Sequence, residues 1–182
     1  ELKVRFDAES QIREKQHSYN IIGTIPGESR EEMILLSAHY DSYFSGFQDD
    51  NTAVAMMFGI AKALMESGYQ PKKTIVVAAL AAEEWGIVNS KYDWSTGAYQ
   101  QVFCVRPEWQ GRVVADFNFE LPAHAHGRKD AVRSVYEYVS FLKKAIEGIP
   151  VDPEAYPEGL EIHAPIQTMS DDFSMAIAGI PS

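Results

Sequence analysis

MILLSAH, residues 33–39, is an unbroken apolar run that ends on a histidine. Such a run suits a strand buried on both faces, as in parallel sheets covered by helices. Two further stretches share the design. TIVVAALAA, residues 74–82, runs into Glu83-Glu84, and RVVADFNF, residues 112–119, runs into Glu120. In open α/β sheets, sites gather at the carboxyl ends of the strands. Three separate segments are therefore predicted to bring one imidazole and several carboxylates to a single edge.

Helices are predicted between these strands. Residues 51–66 carry an apolar arc through Val54, Met57, Phe58, Ala61, Leu64 and Met65. Asp50 or Asn51 is expected to cap that helix and Gly68 to end it. Residues 2–7 and 18–25 read as strands, and Pro26-Gly27 as a turn. Residues 86–94 predict a short helix. Residues 130–147 place Val132, Val135, Tyr136, Val139, Leu142 and Ile146 at helical spacing, with Gly148 and Pro150 as stops. The proline-bearing stretch 150–159 reads as a loop, and 171–178 as a last helix. Strand–helix alternation predicts one α/β domain over 1–182, a three-layer α/β/α sandwich around a mostly parallel, mixed sheet.

Composition narrows the function. The 182 residues are 46% hydrophobic and 23% charged, an ordinary globular balance. Sixteen Lys+Arg against 26 Asp+Glu leave a net charge of −10, so a nucleic-acid partner is not expected. No run approaches the ~20 apolar residues of a membrane helix. A single cysteine, Cys104, excludes an internal disulfide framework and a cysteine-based zinc cluster. No glycine-rich phosphate loop is present. Tryptophans 85, 94 and 109 and methionines 56, 57 and 65 read as packing residues. The first residue is Glu1, no targeting segment precedes it, and the chain stops at Pro181-Ser182. The expectation is a fragment lacking a C-terminal part, with cytoplasmic and secreted origins both open.

The acids at the strand ends carry the chemistry. Asp and Glu beside apolar strands are costly to bury without a partner. His39, Asp41, Asp49, Asp50, Glu83, Glu84 and Glu120 together suggest a divalent cation, and mixed nitrogen and oxygen donors suit zinc. Two ions roughly 3.5–4 Å apart need a bridging carboxylate. Each residue alone also has a plain role: a core histidine, a helix cap, a solvated helix start, a paired strand-end acid. Their joint occurrence at element junctions favours the metal. No serine or cysteine nucleophile stands in a suitable context. Tyr43, Phe44 and Phe47, between two candidate ligands, either line a substrate pocket or pack.

His39-Tyr40-Asp41, then Asp49-Asp50-Asn51, then Glu83-Glu84 resembles the co-catalytic zinc aminopeptidase family. SYNIIGTIPG, VVADFNFE and SDDFSMAIAGIPS resemble its branch containing glutamate carboxypeptidase II and the transferrin receptor. The resemblance implies a zinc exopeptidase that hydrolyses a terminal peptide bond of a peptide substrate with metal-activated water. It makes His39 a ligand of one zinc, Asp49 the bridge and Glu84 a ligand of the second zinc. Glu83 becomes the general base, and Asp41 orients His39. Glu120 stands where the family has an Asp ligand. The family's last histidine ligand falls beyond Ser182, so one zinc or none is conceivable here. His124, His126 and His163 are candidate substrate contacts or substitute ligands. Relatives of this kind often dimerise. Two alternatives remain open at this point: an inactive partner-binding relative, and a single-zinc acyltransferase resembling glutaminyl cyclase.

Overall fold

All three apolar runs are strands. The computed structural model describes residues 2–13, 15–86, 94–122 and 127–182. Strand β1 (Ile21–Ile25) is followed by β2 (Ser29–His39) and, after helix α1 (Thr52–Glu66), by β3 (Lys73–Leu80). Helix α2 (Thr96–Gln100) precedes β4 (Val113–Asn118). Strand β2 lies between β3 and β4 and is parallel to both, while β1 joins the outer edge of β3 antiparallel. The sheet order is β1-β3-β2-β4. His39 pairs with Leu80, and Ser37 with Asn118. The three parallel strands thus finish level with one another, which is what places their following residues together.

Alternation along these strands divides the core in two. Met33, Leu35, Val76, Ala78 and Leu80 face Ala98 of α2 and the buried Val102 and Trp109. Met175 of helix α4 (Asp171–Ile177) and Ile180 complete that layer. Leu36, Ala38, Ile75, Val77 and Ala79 face Ala53, Met57 and Ala61 of α1. Helical layers on both faces make this a three-layer sandwich. Leu35 is 0% exposed, and truncating such a side chain to Ala costs about 2–5 kcal/mol. A smaller parallel pair, β5 (Asp130–Arg133) and β6 (Leu160–His163), flanks helix α3 (Val139–Ile146). No helix among the described residues is long and apolar enough to cross a membrane.

Several expectations change. Residues 2–7 form no strand; Leu2, Val4 and Phe6 are exposed and pair with no strand of the sheet. The expected helix over 130–147 is a strand, a short turn and then α3. Its first part pairs with β6 because Val132 and Ala131 suit an extended ladder as well as a helix. Neither Asp50 nor Asn51 caps α1 through its side chain. Thr52 Oγ1 donates to the Phe47 carbonyl instead, while Asp50 turns away. Trp109 and Met57 are core residues, but Trp85, Trp94, Met56 and Met65 are exposed. The helix expected over 86–94 falls largely on residues 87–93, outside the described residues.

Asn20 ties the edge of the fold to its centre. Its Oδ1 accepts the Ala81 amide at 2.9 Å, and its Nδ2 donates to the Gly97 carbonyl and to Gln101 Oε1, each at 3.0 Å. The end of β3 and the start of α2 are drawn so close that a Cβ on Gly97 would lie 1.8 Å from the Ala81 carbonyl oxygen. That oxygen is backbone and has little room to yield. Gly97→Ala is expected to lower unfolding stability by about 3 kcal/mol, at the upper end of ordinary overpacking, as read by denaturant titration. Wild-type stability in that variant would contradict the close approach.

Candidate metal centre

His39 closes β2 and is 1% exposed. Its Nδ1 lies 2.9 Å from the main-chain oxygen of Asp41. A carbonyl only accepts, so Nδ1 carries the hydrogen and Nε2 presents a lone pair whenever the ring is neutral. Four carboxylates surround Nε2: Asp49 Oδ1 at 3.1 Å, Glu120 Oε1 at 3.5 Å, Asp50 Oδ2 at 3.8 Å and Glu83 Oε2 at 3.9 Å. Even so, Nε2 and Asp50 Oδ2 have no hydrogen-bond partner among the described residues.

Local backbone geometry aims these groups. Ala82, before Glu83, has φ 56°, and Leu121, after Glu120, has φ 48°. Both are left-handed, a conformation that costs a non-glycine residue about 1–2 kcal/mol. Such residues recur where a chain is held in place for a site. The Asp41 carboxylate acts as a clamp across the two strand ends. Its oxygens accept the amides of Glu83 and Glu84, each at 3.1 Å. The expected orientation of His39 by Asp41 therefore comes mainly from the Asp41 carbonyl, with its Oδ1 3.5 Å from Nδ1. Tyr43 adds a second tie, donating to the Glu84 carbonyl at 3.1 Å and standing 5.8 Å from the Trp85 ring.

The electrostatics are those of a cluster short of positive charge. Burial alone would lower the His39 pKa. Hydrogen bonding to Asp41 and Glu120, with the charges of Glu120 and Glu83, pushes it up to about 12. Burial, with Glu120 adding to it, raises Asp50 to about 8. Burial also raises Glu83 to about 9, against the pull of His39. Glu84 is raised by burial and by Asp49. Asp41 goes the other way: burial would raise it, but His39 and the two amides hold it below the usual range.

This donor set fits a divalent cation. His39, Asp50 and Glu120 present ligand atoms within 4.8 Å of one another, and so do His39, Glu83 and Glu84. The two groups share His39. Asp49, the bridge implied by the resemblance, reaches Nε2 with a half-exposed side chain. Asp50, read from the sequence as a cap or spare acid, is fully buried at the same point, and its Oδ1 accepts the Leu121 amide at 3.2 Å. His163 is not brought here. It ends β6 with its Nε2 3.5 Å from Glu161. His124 and His126 lie outside the described residues.

Two contributors were missed in the sequence. Ser170 donates to Glu120 Oε2 at 2.5 Å and accepts from Asn118 Nδ2 at 3.0 Å. Asp171 is fully buried, and neither of its oxygens has a hydrogen-bond partner among the described residues. A Ser-Asp-Asp opening a helix reads as an ordinary N-terminus, so only its burial marks it out. The centre opens into a cavity of about 1080 Å³, with Asp49, Glu83, Glu84 and Glu120 lining it together with Phe117 and Phe141.

The layers, the sheet and the strand-end site define a fold shared with solved zinc aminopeptidases. A zinc aminopeptidase from Bacillus subtilis superposes with a TM-score of 0.66 at 22% identity, over 88% of this chain and 38% of that one. The glutaminyl cyclase of Macrostomum lignano also gives 0.66, at 16% identity, over 89% and 58%. The chain belongs to Peptidase family M28, whose model matches residues 20–182. Among curated relatives, leupeptin-inactivating enzyme 1 of Streptomyces exfoliatus is 33% identical over 171 residues, 90% of this chain and 34% of that protein. The glutamate carboxypeptidase 2 homolog of Caenorhabditis elegans is 34% identical over 93 residues, 48% of this chain and 12% of that protein. The chain thus spans about a third and about an eighth of the length of these two curated relatives.

Burial gives the metal-free protein a definite pH dependence. It raises Asp116 to about 7 and Asp172 to about 6. A carboxylic acid that binds its proton more tightly when folded stabilises the fold below its unfolded pKa, and that contribution is lost as pH rises through the folded value. The raised values of Asp50, Glu83 and His39 act with the same sign. Asp41, held low, loses its contribution only below the usual carboxylate range. Chelator-treated protein is expected to melt at a lower temperature at pH 8 than at pH 5. A higher melting temperature at pH 8 would mean that these acids are not buried as described.

Proposed function

We propose that the chain carries the centre of a zinc-dependent exopeptidase, aminopeptidase-like, acting on a terminal peptide bond. The observation that carries this reading is the ring of four carboxylates around the Nε2 of buried His39, which has no hydrogen-bond partner among the described residues. Membership of a peptidase family and relatives named as carboxypeptidase and leupeptin-inactivating enzyme support it. His39, Asp49, Glu84 and Glu120 are assigned as metal ligands, with Asp50 as a further candidate. Bound zinc supplies Lewis acidity, bringing the pKa of water near ~7 and polarising a scissile carbonyl.

The remaining roles fall to the chain's own groups. Glu83 is assigned as general base. Its Oε2 is the farthest of the four acids from His39 Nε2, at 3.9 Å, and its side chain is buried. It takes a proton from the attacking water and delivers it to the leaving amine. Asp41 serves as a positioning residue, clamping the Glu83 and Glu84 amides while its carbonyl sets the His39 tautomer. The apolar side of the cavity excludes water and receives a peptide side chain.

The glutaminyl cyclase reading keeps a place because that fold matches equally well. Metal stoichiometry bears on the two: close to two zinc ions per chain supports the peptidase, while a single ion fits either reading.

The base assignment has its own test. Glu83→Gln is expected to retain zinc, measured by elemental analysis, and to lose peptide hydrolysis by about 100-fold or more, the usual scale of general base catalysis. A zinc-loaded variant that turns over normally would refute the role of Glu83.

A further inference from the structure

Behind the centre, a line of buried and half-buried polar side chains runs from the sheet interior to Glu120. Ser37, on β2 and 0% exposed, has its Oγ 2.8 Å from Asp116 Oδ1 and 3.0 Å from Asn118 Oδ1. Asn118 Nδ2 donates to Ser170 Oγ at 3.0 Å, and Ser170 donates to Glu120 Oε2 at 2.5 Å. The line joins β2, β4 and the residue preceding α4, three segments far apart in sequence.

Its polarity follows from the Glu120 end. A carboxylate accepts only, so the Ser170 hydrogen points at Glu120. Ser170 Oγ then needs a donor, and the Asn118 amide group supplies it. That leaves Asn118 Oδ1 facing Ser37, whose single hydroxyl hydrogen lies within reach of both Asn118 Oδ1 and Asp116 Oδ1. Asp116 is held at its other oxygen by Ser182, whose Oγ donates to Oδ2 at 3.4 Å. Its main-chain amide is taken by the Pro181 carbonyl at 2.8 Å.

We propose that Asp116, Ser37, Asn118 and Ser170 form a hydrogen-bonded line that positions Glu120 for a metal ion. The line holds Oε2, leaving Oε1 to face His39 Nε2 at 3.5 Å, so Glu120 presents one oxygen rather than two. Glutamate is longer and more mobile than aspartate, and an external hold on one oxygen offsets that freedom. The inference rests on Glu120 being a ligand, as proposed above. None of the members of the line touches substrate; they act through Glu120.

The test is a cobalt(II) titration of the full chain, read by calorimetry and by the visible absorption of the bound ion. Ser37→Ala, Ser170→Ala and the double variant are compared with wild type, and circular dichroism checks that each is folded. Groups that orient a ligand from behind typically change metal affinity by about 10–100-fold. Each single variant is expected to weaken cobalt binding by about 10-fold or more and to shift the absorption band. Because the two serines act through one line, the double variant is expected to be no weaker than Ser170→Ala alone. Ser170→Thr, which keeps the hydroxyl, is expected to restore binding and spectrum, and it serves as the readout if Ser37→Ala does not fold. Unchanged affinity and spectrum in Ser37→Ala, or strictly additive losses in the double variant, would overturn the line while leaving the metal centre standing. Failure of the wild type to bind cobalt would overturn both.

Discussion

Like charges crowded around one imidazole are the constraint on which this molecule turns. Asp49, Asp50, Glu83 and Glu120 all lie within 3.9 Å of His39 Nε2. Burying such groups without a partner is costly, and burial pushes Asp50 up to about 8 and Glu83 up to about 9. Everything that keeps them together belongs to the fold: strands that end level, left-handed turns at Ala82 and Leu121, and the Asp41 clamp. The two hydrophobic layers supply the stability that offsets the strain. The sandwich is a rigid frame for a cluster that would otherwise fly apart.

The frame was legible because its strands are unambiguous. MILLSA, TIVVAAL and VVADF are apolar without alternation, and each is followed within a few residues by an ionisable group. A buried parallel strand leaves few other readings for such a pattern. Less legible were segments with two acceptable partners. Residues 130–133 fit a helix by spacing and a strand by composition, and only pairing with residues 160–163 decides. Leu2, Val4 and Phe6 alternate like an edge strand yet pair with no strand of the sheet.

Within the site, residue type was visible but direction was not. Asp41 was expected to hold His39 with its carboxylate; the carbonyl does most of this and the carboxylate holds the next strand's amides. Asp50 looked like a helix cap and is instead a buried acid of the ring. Ser37, Asn118 and Ser170 are small polar residues with no motif of their own. Their importance arises only when three distant segments meet, which no local pattern encodes.

The Asp41 clamp also bears on how such a sequence can diverge. One residue sets both the tautomer of His39 and the position of the Glu83-Glu84 backbone, so the two-residue step from His39 to Asp41 admits neither insertion nor deletion. The stretch from Ser42 to Gln48 carries no comparable double duty. Among the described residues its side-chain hold on the adjoining strand end is Tyr43, and Phe44 and Phe47 are exposed. Its backbone is nonetheless fixed at Gly46, at φ 58° and packed against Ser42, and at the Phe47 carbonyl, which accepts from Thr52, so the freedom to vary lies in the exposed side chains of Phe44 and Phe47. Those two side chains can change while the backbone that leads into Asp49 and Asp50 keeps its path.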